Sequence, residues 1–190
     1  MKKILIATHN PWKTKLFGSI FQQYGFDAYS PVTLGPSENG RTVVENALIK
    51  ARHYSSSEHQ WVFGDDTGLE IDALGGAPGV QFRRWAGHFT DDVPDEIWLN
   101  HLLALMNDIP AGKRTAHLVD GWALITPGGK TYSHETRATF EIAMQPLRPI
   151  IPGSPILSVS VGLPDDPALI FAALQTHWKT WGISDVLRQE

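Results

Sequence analysis

The chain has 190 residues, 19% of them charged and 42% hydrophobic, with 16 Lys plus Arg against 20 Asp plus Glu for a net charge of −4. That length suits a single domain, or two lobes sharing a core, and seven Trp with eight Phe beside so few charges exclude a disordered chain. A negative balance without a Lys/Arg cluster argues against nucleic acid or an anionic membrane as partner, and zero cysteines remove disulfides, thiolate nucleophiles and Cys-based metal sites.

Lys2 to Thr8 reads as a short, continuously apolar strand of the kind buried on both faces of a sheet. Its apolar run Ile4-Leu5-Ile6-Ala7 is too short for a secretory leader, and no stretch approaches the roughly 20 apolar residues needed to span a bilayer. A cytoplasmic protein is therefore expected. Asn10 is a good N-cap and Pro11 suits a first helical position, opening a helix with Leu16, Ile20, Phe21 and Tyr24 on its apolar face that ends at Gly25. A second strand is expected near Asp27 to Ser30, then a Pro/Gly-rich loop from Pro31 to Gly40. Thr42 with Glu45 three positions on has capping-box spacing for a second helix, whose apolar stripe is Val44, Ala47, Leu48 and Ala51.

Trp61-Val62-Phe63-Gly64 is a third short strand, ending at Asp65-Asp66-Thr67-Gly68. A helix follows over about 91–107, and Arg114 to Ile125 and Lys130 to Ile142 flank the hairpin signal Thr126-Pro127-Gly128-Gly129. Pro146 to Pro164 yields only a possible strand at Ile156 to Val161, and a last helix runs from Asp165-Asp166-Pro167 towards Trp181. The alternating first half and the long hairpin after it predict one α/β domain over 1–190: a two-lobed mixed sheet flanked by helices, with a central cleft for a ligand.

Four stretches could carry chemistry in that cleft. In Thr8-His9-Asn10-Pro11-Trp12-Lys13, the unpaired N–H groups of a helix start, two polar side chains and Lys13 suit a phosphate, although a capped surface helix explains them too. Glu45 and Lys50 lie five apart, about 140° around a helix, so they are not a routine surface ion pair. Asp65 and Asp66, side by side at a buried strand end, repel each other, and a hard divalent cation such as Mg²⁺ would offset that cost; a solvent-exposed turn is the plainer alternative. The Gly/Pro-rich Leu74 to Val80 marks an unusual backbone path, and Phe82-Arg83-Arg84-Trp85 after it could meet an anion or a base, or form a surface turn. The histidines show no metal-ligand spacing.

Together these stretches resemble the inosine triphosphate pyrophosphatase family, which hydrolyses non-standard purine nucleoside triphosphates. Four ordered motifs carry the likeness: Ala7-Thr8-x-Asn10-x-x-Lys13, Glu45-Asn46-Ala47-x-x-Lys50-Ala51, Asp65-Asp66-Thr67-Gly68-Leu69 and Asp72-Ala73-Leu74-Gly75-Gly76-Ala77-Pro78-Gly79. The resemblance implies a phosphate loop of Thr8, Asn10 and Lys13, with Lys50 on the triphosphate. It implies Mg²⁺ near Glu45 and Asp66, with Asp65 beside them, and Asp66 as base for the attacking water. Thr67, Gly68, Arg84 and His177 are the further expected substrate contacts. A homodimer is also implied, and seven Trp would leave aromatic surface for it to cover.

The likeness is close over about residues 1–87 and weakens beyond. Where the family has Gly-Phe-Gly-Tyr-Asp-Pro, this chain has Ile150-Ile151-Pro152-Gly153-Ser154-Pro155, and the family's Ser-His-Arg appears as Thr176-His177-Trp178. The family's lysine before that His corresponds to Ala172, Trp12 replaces a Gly, and Gln81-Phe82-Arg83 replaces Tyr-Ser-Ala. The expectation is an intact triphosphate and metal site with altered base recognition, in which Trp12, Phe82, Trp85 or Trp178 stacks on the base or fills its pocket. A nucleotide-binding protein of the same fold with little turnover is the alternative.

Overall fold

The computed structural model describes residues 2–55, 60–164 and 167–189. The first unit is strand β1 (Lys2–Ile6), helix α1 (Pro11–Gln23) and strand β2 (Phe26–Tyr29). Asn10 starts the helix as expected, its Oδ1 accepting the N–H groups of Trp12 at 2.9 Å and Lys13 at 3.4 Å. Chain reversal follows at Gly25, where φ of +80° suits a residue without Cβ. The buried residues of the helix are Phe17, Ile20 and Phe21, so Phe17 takes the place expected for Leu16.

Next come α2 (Val43–Tyr54), the long strand β3 (Trp61–Ile71), the two-residue β4 (Pro78–Gly79) and α3 (Asp95–Leu105). The hairpin β5 (Thr115–Ile125) and β6 (Thr131–Ile142) matches its predicted limits to within a residue. It is followed by β7 (Ser160–Val161), α4 (Pro167–Thr180) and α5 (Ile183–Gln189), the last of which the periodicity did not reveal. Most of the strand expected over 156–161 is a 3₁₀ turn, Pro155–Val159, in which Ser158 Oγ bonds the Pro155 carbonyl at 2.7 Å. α3 starts later than expected because Pro94 disfavours helical geometry at Val93. The expected start of the last helix at Asp165 and Asp166 lies outside the described residues.

The seven-stranded mixed sheet has the order β2-β1-β3-β5-β6-β7, with β4 on the far end of β3. β1 is parallel to both neighbours, and β3 runs antiparallel to β5 with residues 62–71 facing 116–125. Successive side chains alternate between faces, so one face of β3 can be read end to end. Trp61 and Phe63 enter a core with Phe17, Phe21, Trp122 and Trp178, whereas Leu69 and Ile71 enter a second core with Trp85, Trp98 and Phe140. Between these lobes the strand carries Asp65 and Thr67. This polar waist is the predicted cleft.

The strand therefore does not end at Asp65-Asp66, as the turn-like Asp-Asp-Thr-Gly suggested. Each of these residues has a ladder partner on β5, from Trp122 to Val119, and that pairing overrides the local turn preference. Trp61, Trp85, Trp98, Trp122 and Trp178 are buried. Those five supply core, and Trp12 and Trp181 are half-buried against it, so the number of tryptophans is not by itself an argument for a dimer. Buried Arg114 ties hairpin to helix, its guanidinium donating to the carbonyls of Ile142, Met106, Ile109 and Ala143. No helix among the described residues is long and apolar enough to cross a membrane.

Candidate active site

Three segments meet at the waist. The turn after β1 contributes buried Thr8, whose Oγ1 accepts the Asn10 N–H at 3.2 Å. While Asn10 Oδ1 caps α1, Asn10 Nδ2 donates to the Gly153 carbonyl at 3.0 Å, tying the turn to the loop around Gly153. One helical turn on, Lys13 pairs with Asp65 and donates to Thr67 Oγ1 at 3.0 Å.

Because Asp65 and Asp66 are consecutive on a strand, they face opposite sides of the sheet. Asp65 meets α1 through Lys13, and Asp66 meets α2, where Lys50 reaches it at 3.1 Å and Asn46 Nδ2 donates to it at 2.8 Å. The repulsion expected of the pair is relieved by a separate cation for each carboxylate. Three glycines let α2 come close enough. A Cβ on Gly64 would sit 2.3 Å from the Ala47 carbonyl, one on Gly121 would sit 2.4 Å from Val43, and one on Gly68 would crowd Gly79 and Val43 at 3.1 and 3.2 Å. Gly68, expected as a substrate contact, serves here as packing space beneath α2.

Lys50 has a second carboxylate, Glu38, at 3.4 Å, while Arg84 donates to the Glu38 carbonyl at 3.3 Å. Burial pushes the Glu38 carboxyl above its usual range and Asp66 adds to this, against the opposing pull of Lys50. Glu45, expected beside Asp66, is exposed, and its Oε2 accepts the Arg41 N–H at 2.6 Å at the start of α2. Capping chemistry holds it there, and the carboxylate that shares Lys50 with Asp66 is Glu38. Sequence reading missed Glu38 because a loop residue has no periodicity to mark it. Asn46 is a polar residue on the buried side of α2, and its bond to Asp66 is made only once α2 packs on β3.

On the other face the Thr67 hydroxyl donates to Asp120 at 2.7 Å, completing a chain from Lys13 through Thr67 to Asp120. Asp120 is a further site residue, and a lone Asp within the apolar run Leu118-Val119-Asp120-Gly121-Trp122 is its signal in the sequence. Burial would lower the Lys13 pKa, but the carboxylates of Asp65 and then Asp66 outweigh it and raise the pKa. Desolvation raises the Asp120 carboxyl despite help from Thr67 and Lys13. A raised carboxyl makes ionisation costly to the fold, a cost absent below the unfolded-state pKa and complete above the folded-state one. Asp120→Asn, which keeps an acceptor for Thr67, is therefore expected to raise Tm at pH 8 and to lose that gain by about pH 3, below the unfolded-state pKa. Equal melting of variant and parent at pH 8 would mean that Lys13 fully offsets the buried charge.

Other expected contacts are used elsewhere. His177 is exposed on α4 and stacks on Trp181 at 5.4 Å, with His134 on the same indole at 3.6 Å, so it is grouped with the first lobe's aromatics and not with the lysines. Trp178 is fully buried against Phe21, and Trp85 packs on Trp98, which removes both as stacking partners for a base. Trp12 and Phe82 remain, half-buried against the second core.

A family model described as the Ham1 family matches residues 4–149. The chain belongs to the Ham1 family. The matched region holds every lysine and carboxylate of the waist and stops just before Ile150. Among Ham1 relatives, the dITP/XTP pyrophosphatase of Bacillus subtilis is 37% identical over 150 residues, 77% of this chain and 74% of that one. That of Erwinia tasmaniensis is 38% identical over 120 residues, 62% of this chain and 57% of its own length. With that relative and the one from Yersinia pseudotuberculosis, the likeness spans less than two thirds of the relative's length, 57% and 59%. A nucleoside-triphosphatase / dITP/XTP pyrophosphatase structure from Mycobacterium abscessus shares 30% identity and a TM-score of 0.67, covering 94% of this chain and 97% of that one. A HAM1 protein of Coxiella burnetii, 22% identical with a TM-score of 0.69 over 93% of this chain and all of its own, shares the fold.

Proposed function

We propose that this chain hydrolyses a nucleoside triphosphate to the monophosphate and pyrophosphate in the cytoplasm, with Mg²⁺ as cofactor. The observation that carries the reading is the pair of lysines brought by two helices to one strand, Lys13 at Asp65 and Lys50 at Asp66. Although the two lysines approach β3 from opposite faces, Lys13 also acts electrostatically on Asp66 and Glu38, so two cations and a helix N-terminus suit the charge of one polyphosphate. The dITP/XTP pyrophosphatase relatives support the same reading.

The donor set also fits the metal. Asp66 and Glu38 flank Lys50 with hard oxygens, and Mg²⁺ characteristically takes one or two carboxylates together with waters and phosphate oxygens. In addition, Asp65 Oδ1 is buried without a hydrogen-bond partner, an acceptor still unspent. We infer that Glu38 and Asp66, in place of Glu45, would hold the ion, which when bound would neutralise phosphate charge and lower the barrier to attack. Asp66 accepts one bond on each oxygen, from Lys50 and from Asn46, so each keeps a lone pair for a water. In the proposed reaction, the water oxygen bonds to the α-phosphorus, its proton passes to Asp66, and the α–β phosphoanhydride bond breaks to release pyrophosphate. Lys13 and Lys50 offset the charge on the transferred group, and Thr8 and Asn10 hold its oxygens.

Base preference is proposed to differ from that of the relatives, because of the four candidate aromatics Trp85 and Trp178 are buried in the cores and Trp12 and Phe82 are left to stack on a base. The test is pyrophosphate release from ITP, XTP, dITP and the common triphosphates, with and without Mg²⁺. Turnover that disappears on chelation supports the reading. Tight nucleotide binding without pyrophosphate release would favour the nucleotide-binding alternative, and a hundredfold or greater preference for ITP or XTP over all others would overturn the altered specificity. A homodimer is part of the proposal and rests on the family alone; light scattering that gives a monomer at micromolar concentration removes it.

A further inference from the structure

A run of hydrogen bonds links α3 in the second lobe to the phosphate turn in the first. Arg83 Nη1 donates to Asp95 Oδ1 at 2.6 Å, and Asp95 Oδ2 accepts the Gly153 N–H at 2.8 Å. The Gly153 carbonyl accepts Asn10 Nδ2 at 3.0 Å, and Asn10 Oδ1 caps the N–H groups of Trp12 and Lys13. Arg83 is itself fixed by the Asp91 and Val93 carbonyls. The Asp95 side chain is 16% exposed and that of Arg83 32%, so this pair is partly shielded from water. At Gly153, φ is +80° and an added Cβ would stand 2.7 Å from Asn10 Oδ1, so the backbone lies directly against the amide. Arg83 and Gly153 both belong to stretches where this chain departs from its family's pattern.

We propose that Asp95 is a positioning residue for the phosphate turn, acting through the Gly153 peptide to fix which way the Asn10 amide faces. With Nδ2 engaged by the Gly153 carbonyl, Asn10 must present Oδ1 to the helix start, and the first N–H groups of α1 are held in line. Each Asp95 oxygen has one partner, a guanidinium on one side and a peptide N–H on the other. An amide cannot replace it, since an NH₂ group would face a donor whichever way it turned. The inference rests on reading Thr8, Asn10 and Lys13 as the phosphate-binding turn.

The experiment compares Asp95→Asn with Glu96→Gln. Both remove one acidic charge from the first turn of α3, but only Asp95 bonds to the loop. In the nucleotide-free protein, Asp95→Asn shifts and broadens the Asn10 side-chain NH₂ resonances in a ¹⁵N correlation spectrum, and Glu96→Gln leaves them in place. This arm reads the geometry even if no nucleotide is turned over, so its outcome is separate from that of the proposed activity. With the best triphosphate, KM rises about tenfold in Asp95→Asn while kcat stays within about twofold, the loss of one charge-assisted hydrogen bond expressed in binding. In an Asn10→Ala background, Asp95→Asn has no further effect on KM. Unmoved Asn10 resonances, or an undiminished KM effect in the Asn10→Ala background, overturn the proposal.

Discussion

Asp66→Asn is expected to keep the fold and to lower turnover by about two to four orders of magnitude, the usual contribution of a positioned general base. The amide accepts from one of Lys50 and Asn46 and turns its NH₂ towards the other donor, which costs some stability, but its volume is unchanged and α2 can stay seated. It cannot take a proton from water at neutral pH, and it is a poorer ligand for a hard cation. The measurement is steady-state pyrophosphate release at a temperature well below the variant's Tm, by a variant with parental circular dichroism. Turnover within about tenfold of the parent would remove Asp66 from the role of base.

Gly64→Ala is the change expected to disturb the site most while adding only a methyl group. Its Cβ would lie 2.3 Å from the Ala47 carbonyl and 3.0 Å from the Ala51 nitrogen, both backbone atoms of α2 that cannot rotate away. The helix must lift, at a cost of about 1–3 kcal/mol or more. Lifting α2 carries Asn46 and Lys50 away from Asp66, so activity falls further than the stability loss alone explains. Gly18 is the control. It lies inside α1 with nothing within 4 Å of an added Cβ, and Gly18→Ala is expected to stabilise by about 0.5–1 kcal/mol with turnover unchanged. Thermal melts and pyrophosphate release on both variants decide the matter, and a Gly64→Ala protein with parental Tm and activity would show that α2 does not need this close approach.

What could be read from the sequence was set by local chemistry. Asn10 and Thr42 mark helix starts because the cap is made by neighbours in the chain, and the β5–β6 hairpin declares itself through its turn. The carboxylate pair misled because the course of β3 depends on β5, far along the chain. Read alone, Asp65-Asp66-Thr67-Gly68 is good turn chemistry; with a ladder partner for every residue, it is mid-strand, and its two acids face different helices. Glu38 shows the same dependence, since only the approach of α2 to β3 turns a loop glutamate into a neighbour of Lys50. The tryptophans illustrate a further limit: bulk in a sequence does not say which core it fills, and Trp178 lies under α1, not beside a ligand.

The continuity of β3 and β5 through both cores also bears on how the chain folds. The β5–β6 hairpin needs only contacts between neighbours, whereas seating β3 against β5 closes the whole segment 72–115 into a loop, an entropic cost met before any of that pairing exists. Neither core is complete until this step, because each draws side chains from both strands. The lobes are thus expected to melt in one transition rather than in succession, and the amides in the middle of β3, beside the ligand cleft, should exchange with solvent only through global unfolding.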